Sequence, residues 1–210
     1  MDDDFEQLRA CIYNSPSELC RFRQLVVNGV LATDASDPEL NAWRNERWER
    51  SLGAGESVQS GRESVQSGRD MKDDRKAMLV FELILQAADV SHCMQHWLIF
   101  SKWSSRSFEE RLVAFLSGRK DFNNDPIVNW YENELEWFDS YIIPLAKRLQ
   151  SCGLFGASGD EFWHWAEENR QEFACTGPSF TETVHQALCK KYASATAAST
   201  SSGRNLWRFL

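Results

Sequence analysis

The sequence predicts an all-α fold. Apolar residues recur at helical spacing along most of the 210 residues, no stretch shows the strict alternation of a half-buried strand, and prolines and glycines fall between the periodic runs. The hydrophobic share is 42%, with nine Trp and thirteen Phe, which is enough to build a core.

Taken in order, residues 1–16 open as an acidic segment, "MDDDFEQ", with no apolar leader. Leu19, Phe22, Leu25, Val26 and Val30 then form a helical stripe from Ser17 to Leu31, with Ser15 and Pro16 at its start. Ser36 or Asp37 is placed to cap a following helix that has Pro38 in its first turn. Between Ser51 and Asp70 the heptapeptide ESVQSGR occurs twice, at Glu56–Arg62 and Glu63–Arg69. Its Gly and Ser content predicts a loop grown by tandem duplication.

The apolar pattern resumes near Met71 and runs to Leu116, with Gly118 as its stop and Pro126 opening the next segment. A stripe from Ile127 through Trp130, Phe138, Ile142 and Leu149 follows, with Pro144 expected to kink its helix or break the ladder. Asp160 is placed to cap "EFWHWAEENRQEF", in which "ENR", like the earlier "FEERL", reads as a charged helix face. The low-complexity run after Lys191 predicts a largely disordered tail over 179–210.

The net charge of −8 argues against nucleic acid or an anionic membrane as partner, and no run reaches the roughly 18 apolar residues of a membrane span. A small anionic substrate would need local cations. Six scattered cysteines without a CxxC pair predict free, buried thiols in a reducing, cytoplasmic compartment.

Two constellations can carry chemistry. Asp89 lies in the apolar run "FELILQAADVSHCMQHWLIF", where a buried carboxylate has to be ion-paired, hydrogen-bonded, protonated or metal-bound. Asp89, His92 and His96 would share one helix face, an oxygen and two imidazoles suited to zinc or iron, or be core and surface residues. Trp130, Glu134, Trp137 and Tyr141 also share a face. A polar group between two indoles suits a flat ring, and an ordinary aromatic core stripe fits the same spacing.

Three stretches together resemble the catalytic domain of the 3′,5′-cyclic-nucleotide phosphodiesterases. They are "VLATDASDPE", "AADVSHCMQHWLIFSKWSSRSFEERL" and "WYENELEWFDSYIIPLAKRL", in the family's order and spacing over roughly Ser17–Glu172. The resemblance implies a compact multi-helix domain, here a partial one over 17–178, that hydrolyses cAMP or cGMP to the 5′-nucleotide in signal transduction. It implies a centre of divalent ions, zinc with magnesium or manganese, with Asp89 as a ligand and Thr33 and Asp34 beside the metal-bound waters. His92, Phe100, Trp103, Ser107, Phe108, Glu134 and Trp137 match positions that face the cyclic nucleotide. Glu134 stands where the family has glutamine, Glu136 where it has glycine, and Ala35 where it has methionine.

The family's other metal ligands and its histidine acid lie in HNxxH and HDxxH motifs upstream of the LATD segment. All four histidines of this chain (His92, His96, His164, His185) come after Asp34. The expectation is therefore a truncated or degenerate copy, with a non-catalytic binding protein or a small Asp89/His92/His96 metal protein as alternatives. A partner domain covering an exposed N-terminal face is also expected.

Overall fold

The computed structural model describes residues 5–35, 37–50, 66–119 and 125–202. The described residues are helical and contain no strand, as the periodicity predicts. The chain divides into two compact units, Met1–Asp89 and Val90–Leu210.

The first unit begins with a short helix, α1 (Glu6–Ala10), followed by α2 (Pro16–Thr33). Ser15 and Glu18 form a reciprocal capping box: the Ser15 hydroxyl accepts from the Glu18 N–H, and the Glu18 carboxylate accepts from the Ser15 N–H. Asp37 caps α3 (Pro38–Trp48) by accepting from the N–H groups of Glu39 and Leu40; the alternative cap, Ser36, is outside the described residues. α4 runs Gln66–Asp89 and packs on α2. Most of the duplicated segment also lies outside the described residues, and the expected loop ends early, because α4 already begins at Gln66.

Helices α2 and α4 meet at Gly29, where a Cβ would lie 3.3 Å from Leu85 Cδ1. Arg44 closes the far end of α2. Its buried guanidinium donates to the Asp34 carbonyl at 2.9 Å, to the Leu31 carbonyl and to Asn41 Oδ1 at 2.8 Å. It thereby adds a donor at the C-terminal end of α2, where carbonyls carry partial negative charge and the Leu31 carbonyl also accepts from the Asp34 N–H at 3.2 Å.

The second unit contains α5 (Trp97–Leu116), α6 (Trp130–Trp137), α7 (Ile143–Ser151) and α8 (Ala157–Ser202). Two 3₁₀ turns, Ser91–Met94 and Pro126–Val128, precede α5 and α6. α8 packs on α5, α6 and α7. Phe100 and Phe108 of α5 are 1% exposed, and Phe138, Ile142, Leu149 and Phe173 complete the centre of the core. Gly118, at φ 66°, ends α5 as expected, and the Arg119 N–H returns to the Ala114 carbonyl.

Pro144 acts through a π turn. Residues Phe138–Ile142 are wound as a π-helix, and the Ile143 N–H bonds to the Phe138 carbonyl five residues back. The wider turn comes just before the proline, whose ring and missing N–H would disturb a regular ladder. The chain passes from α6 to α7 without leaving the helical region.

Three expectations about the C-terminal part are corrected. Asp160 lies inside the first turn of α8, which starts at Ala157, and its carboxylate accepts from Gln150 Nε2 at 2.6 Å. The segment from 179 is helical to Ser202 where a disordered tail was expected. Its polar composition hides contacts made by single residues: Phe180 meets Trp97 and Phe173, Thr181 is buried, and the Tyr192 hydroxyl donates to Glu109. Finally, "FEERL" and "ENR" are more than solvated faces. Glu109 of the former holds Lys191 at 2.6 Å as well as Tyr192, while Asn169 of the latter is 1% exposed and Arg170 forks onto Asp139.

Candidate functional site

The segment carrying Asp89, His92 and His96 is broken where one continuous helix was expected. Asp89 is the last residue of α4, Ser91–Met94 is a 3₁₀ turn, and Gln95 is extended before α5 begins at Trp97. His96 is the N-cap of α5, its Nδ1 accepting from the Leu98 N–H at 3.2 Å. The three side chains therefore do not form the helical stripe that i, i+3, i+7 spacing implies. Asp89 is also exposed, so the premise of a buried carboxylate is overturned. A helix end places the residue at the rim of its apolar run, a position that hydropathy alone cannot distinguish from the middle.

The break is held by Asn169. Its buried Nδ2 donates to the Cys93 carbonyl at 3.0 Å and to the Gln95 carbonyl at 2.6 Å, bridging the 3₁₀ turn and the extended residue after it. Cys93 is the buried thiol of the chain, Cys152 is partly covered, and the other four cysteines are exposed, contrary to the expected burial of all six. Burial, reinforced by the nearby Glu134 carboxylate, pushes the Cys93 thiol far up, so it stays protonated.

Glu134 lies on α6, half-buried, and burial raises its carboxyl from 4.5 to about 7, with Arg111 pulling in the opposite direction. Near neutral pH the group is thus divided between an acceptor-only carboxylate and a carboxylic acid that donates one hydrogen bond and accepts another. The two indoles flanking it in sequence are engaged elsewhere. Trp130 packs edge-on against Phe108 with the Arg111 guanidinium over its ring, and Trp137 stacks on Tyr141 at 4.5 Å and 21°.

Phe100 and Phe108 are ring partners in the core, Phe100 with Phe138 and Phe173, Phe108 with Trp130 and His185. Trp103 is 47% exposed, 5.9 Å from the His92 ring, with the Arg106 guanidinium over its face. Ser107 is exposed. Ser104 instead shares the Phe100–Phe108 face, is buried, and has no hydrogen-bond partner for its hydroxyl among the described residues. The signal for it was available in the i, i+4, i+8 spacing of residues 100, 104 and 108. Thr33 and Asp34 are exposed at the end of α2, with the Thr33 hydroxyl donating to the Val30 carbonyl.

Among the described residues no three His, Cys, Asp or Glu side chains stand together to hold a metal ion. Asp89 is exposed at a helix end, and His96 already uses one ring nitrogen as a helix cap. The donor set does not fit a binuclear centre or the three-residue site expected from spacing.

The family model for 3′5′-cyclic nucleotide phosphodiesterase matches residues 6–151. The chain belongs to this family. The matched span of the phosphodiesterase family takes in α1–α7 and ends at the last residue of α7; α8 lies beyond it. No curated protein matches the chain, and no solved structure matches it. No helix among the described residues is long and apolar enough to cross a membrane. Within this phosphodiesterase-like domain, Glu134 and Trp137 sit on α6, Phe100, Trp103, Ser107 and Phe108 on α5, and Thr33 and Asp34 at the end of α2.

Proposed function

We propose that this chain acts in cyclic-nucleotide signalling as the base-facing part of a phosphodiesterase domain. Hydrolysis of cAMP or cGMP to the 5′-nucleotide then requires metal ligands and a histidine acid that these residues do not bring together. The observation that carries this reading is the family match over residues 6–151, taken with the placement of Asp89, the one residue in the position of a family metal ligand, at an exposed helix end. Purified chain incubated with cAMP or cGMP and zinc, magnesium or manganese should release no 5′-nucleotide above a protein-free blank. Metal-dependent turnover abolished by Asp89→Ala would overturn the proposal.

A second reading, a non-catalytic nucleotide binder, is favoured by Glu134. A protonated Glu134 offers the donor–acceptor pair of the glutamine amide that the family has there, and a pKa of about 7 keeps that form populated. On this reading cyclic nucleotide binds more tightly at pH 6 than at pH 8, and Glu134→Gln removes the dependence. Binding that is independent of pH in the unaltered chain would exclude it.

Free thiols fit a reducing intracellular compartment, and the exposed Val27 and Val30 of α2 fit a face covered by a partner domain.

A further inference from the structure

The first unit contains a cavity of about 410 Å³ that the phosphodiesterase reading does not use. It lies in the groove between α2 and α4, with α3 contributing Arg47. The α2 wall presents Arg21, Gln24, Leu25 and Asn28, which at i, i+3, i+4 and i+7 fall on one helical face. Met78 and Phe81 of α4 form an apolar wall opposite.

The charge in this groove is arranged unequally. Arg47 is ion-paired with Glu82, whose buried carboxylate lies 3.3 Å from its Nη1, and its guanidinium also stacks 4.4 Å from the Trp43 ring centre. Arg21 has no such carboxylate partner among the described residues. Arg21 and Gln24 are exposed where they line the groove, and Asn28 beside them is half-buried. Among the described residues the lining contains no acidic side chain, in a chain whose net charge is −8. A planar guanidinium beside two carboxamides offers many N–H donors, a set that matches an anion with several acceptor oxygens. The volume falls in the range of small-molecule pockets, and the mixture of an apolar wall with a few convergent polar groups is typical of them.

We propose that the α2–α4 groove is a binding site for a small organic phosphate monoester. Its phosphate sits on Arg21, with Gln24 and Asn28 completing the donors, and its apolar ring or chain lies against Leu25, Met78 and Phe81. The three phosphate oxygens use more of this donor set than a carboxylate's two. Arg47, held by Glu82, fixes the end of the groove and supplies a second, partly compensated charge. The site is independent of Asp89 and Glu134.

Phenyl phosphate is a suitable probe, titrated into the full chain and followed by amide NMR, with inorganic phosphate and benzoate as comparators. Saturable binding is expected, with shifts confined to α2, α3 and α4. Arg21→Gln should weaken it at least about tenfold, while Phe81→Ala should weaken phenyl phosphate and leave inorganic phosphate unchanged. Both side chains are exposed, so circular dichroism should show the fold retained. Absence of saturable binding, equal affinity in Arg21→Gln, or shifts centred on the second unit would overturn the site. Benzoate binding as tightly as phenyl phosphate would overturn the assignment to a phosphate.

Discussion

The hydroxyl of Tyr131 donates to the carbonyl oxygen of Ala174 at 3.1 Å, four residues before the proline inside α8, Pro178. In an uninterrupted helix that carbonyl accepts from the N–H of residue 178, which proline lacks. Gly177 makes room for the arrangement: a Cβ there would lie 2.8 Å from the Tyr131 ring. The tyrosine, the glycine and the proline therefore act as one device joining α6 to α8.

Tyr131→Phe should lower stability by about 1–2 kcal/mol, the cost of leaving a partly buried acceptor unpaired. Because Pro178→Ala restores a backbone donor, Tyr131→Phe should cost less in that background. Urea unfolding of the four proteins of the cycle measures this, and additive effects would contradict the coupling. Gly177→Ala should destabilise by about 1–3 kcal/mol through overpacking against the ring.

Stability should fall as pH rises from about 4.5 towards 7 because of Glu134. Its folded pKa is raised to about 7 from 4.5, so in that interval the folded state holds a proton that the unfolded state has released. The contribution is fully present below the unfolded value and is lost as pH passes the folded one, amounting to roughly 1–3 kcal/mol. Glu134→Gln should remove this component of the slope, which urea titrations at pH 5, 6, 7 and 8 would resolve.

Asn169→Ala removes both donors that hold the carbonyls of Cys93 and Gln95 and should cost about 2–3 kcal/mol. Asn169→Asp should cost more, because a buried carboxylate would face the same two carbonyl oxygens. Hydrogen exchange should show faster opening at Ser91–Trp97 in both variants. Equal protection in the variants and the unaltered protein would remove the clamp.

The C-terminal part of α8 should contribute to folding stability. Phe180→Ala takes away ring contacts with Trp97 and Phe173 and should cost about 2 kcal/mol, while a chain ending at Pro178 should unfold at lower urea than the full chain. Coincident unfolding curves would restore the expectation of a disordered tail.

Helix identity was legible in the sequence where apolar spacing, caps and breakers agree. Ser15–Pro16 opens α2, Asp37–Pro38 opens α3 and Gly118 closes α5, because each is a local backbone effect decided within a few residues. The three motifs of the resemblance were legible for the same reason, being continuous stretches in a fixed order. The break between Asp89 and Trp97 was not legible. A 3₁₀ turn and one extended residue there depend on a clamp from Asn169, 74 and 76 residues further along the chain. The role of Asn169 itself was concealed by its acidic and basic neighbours, which show the exposed side of α8 and say nothing of the buried one.

The sequence by itself determined the all-α class, the starts of α2 and α3, the stop of α5, and membership of the phosphodiesterase family, since these rest on short-range periodicity and ordered motifs. Only the tertiary structure decided that Asp89 is exposed at a helix end, that Glu134 is buried enough to titrate near neutral pH, and that α8 extends to Ser202. Burial and desolvation are set by what packs on a residue from elsewhere in the chain, and spacing along one helix carries no record of that.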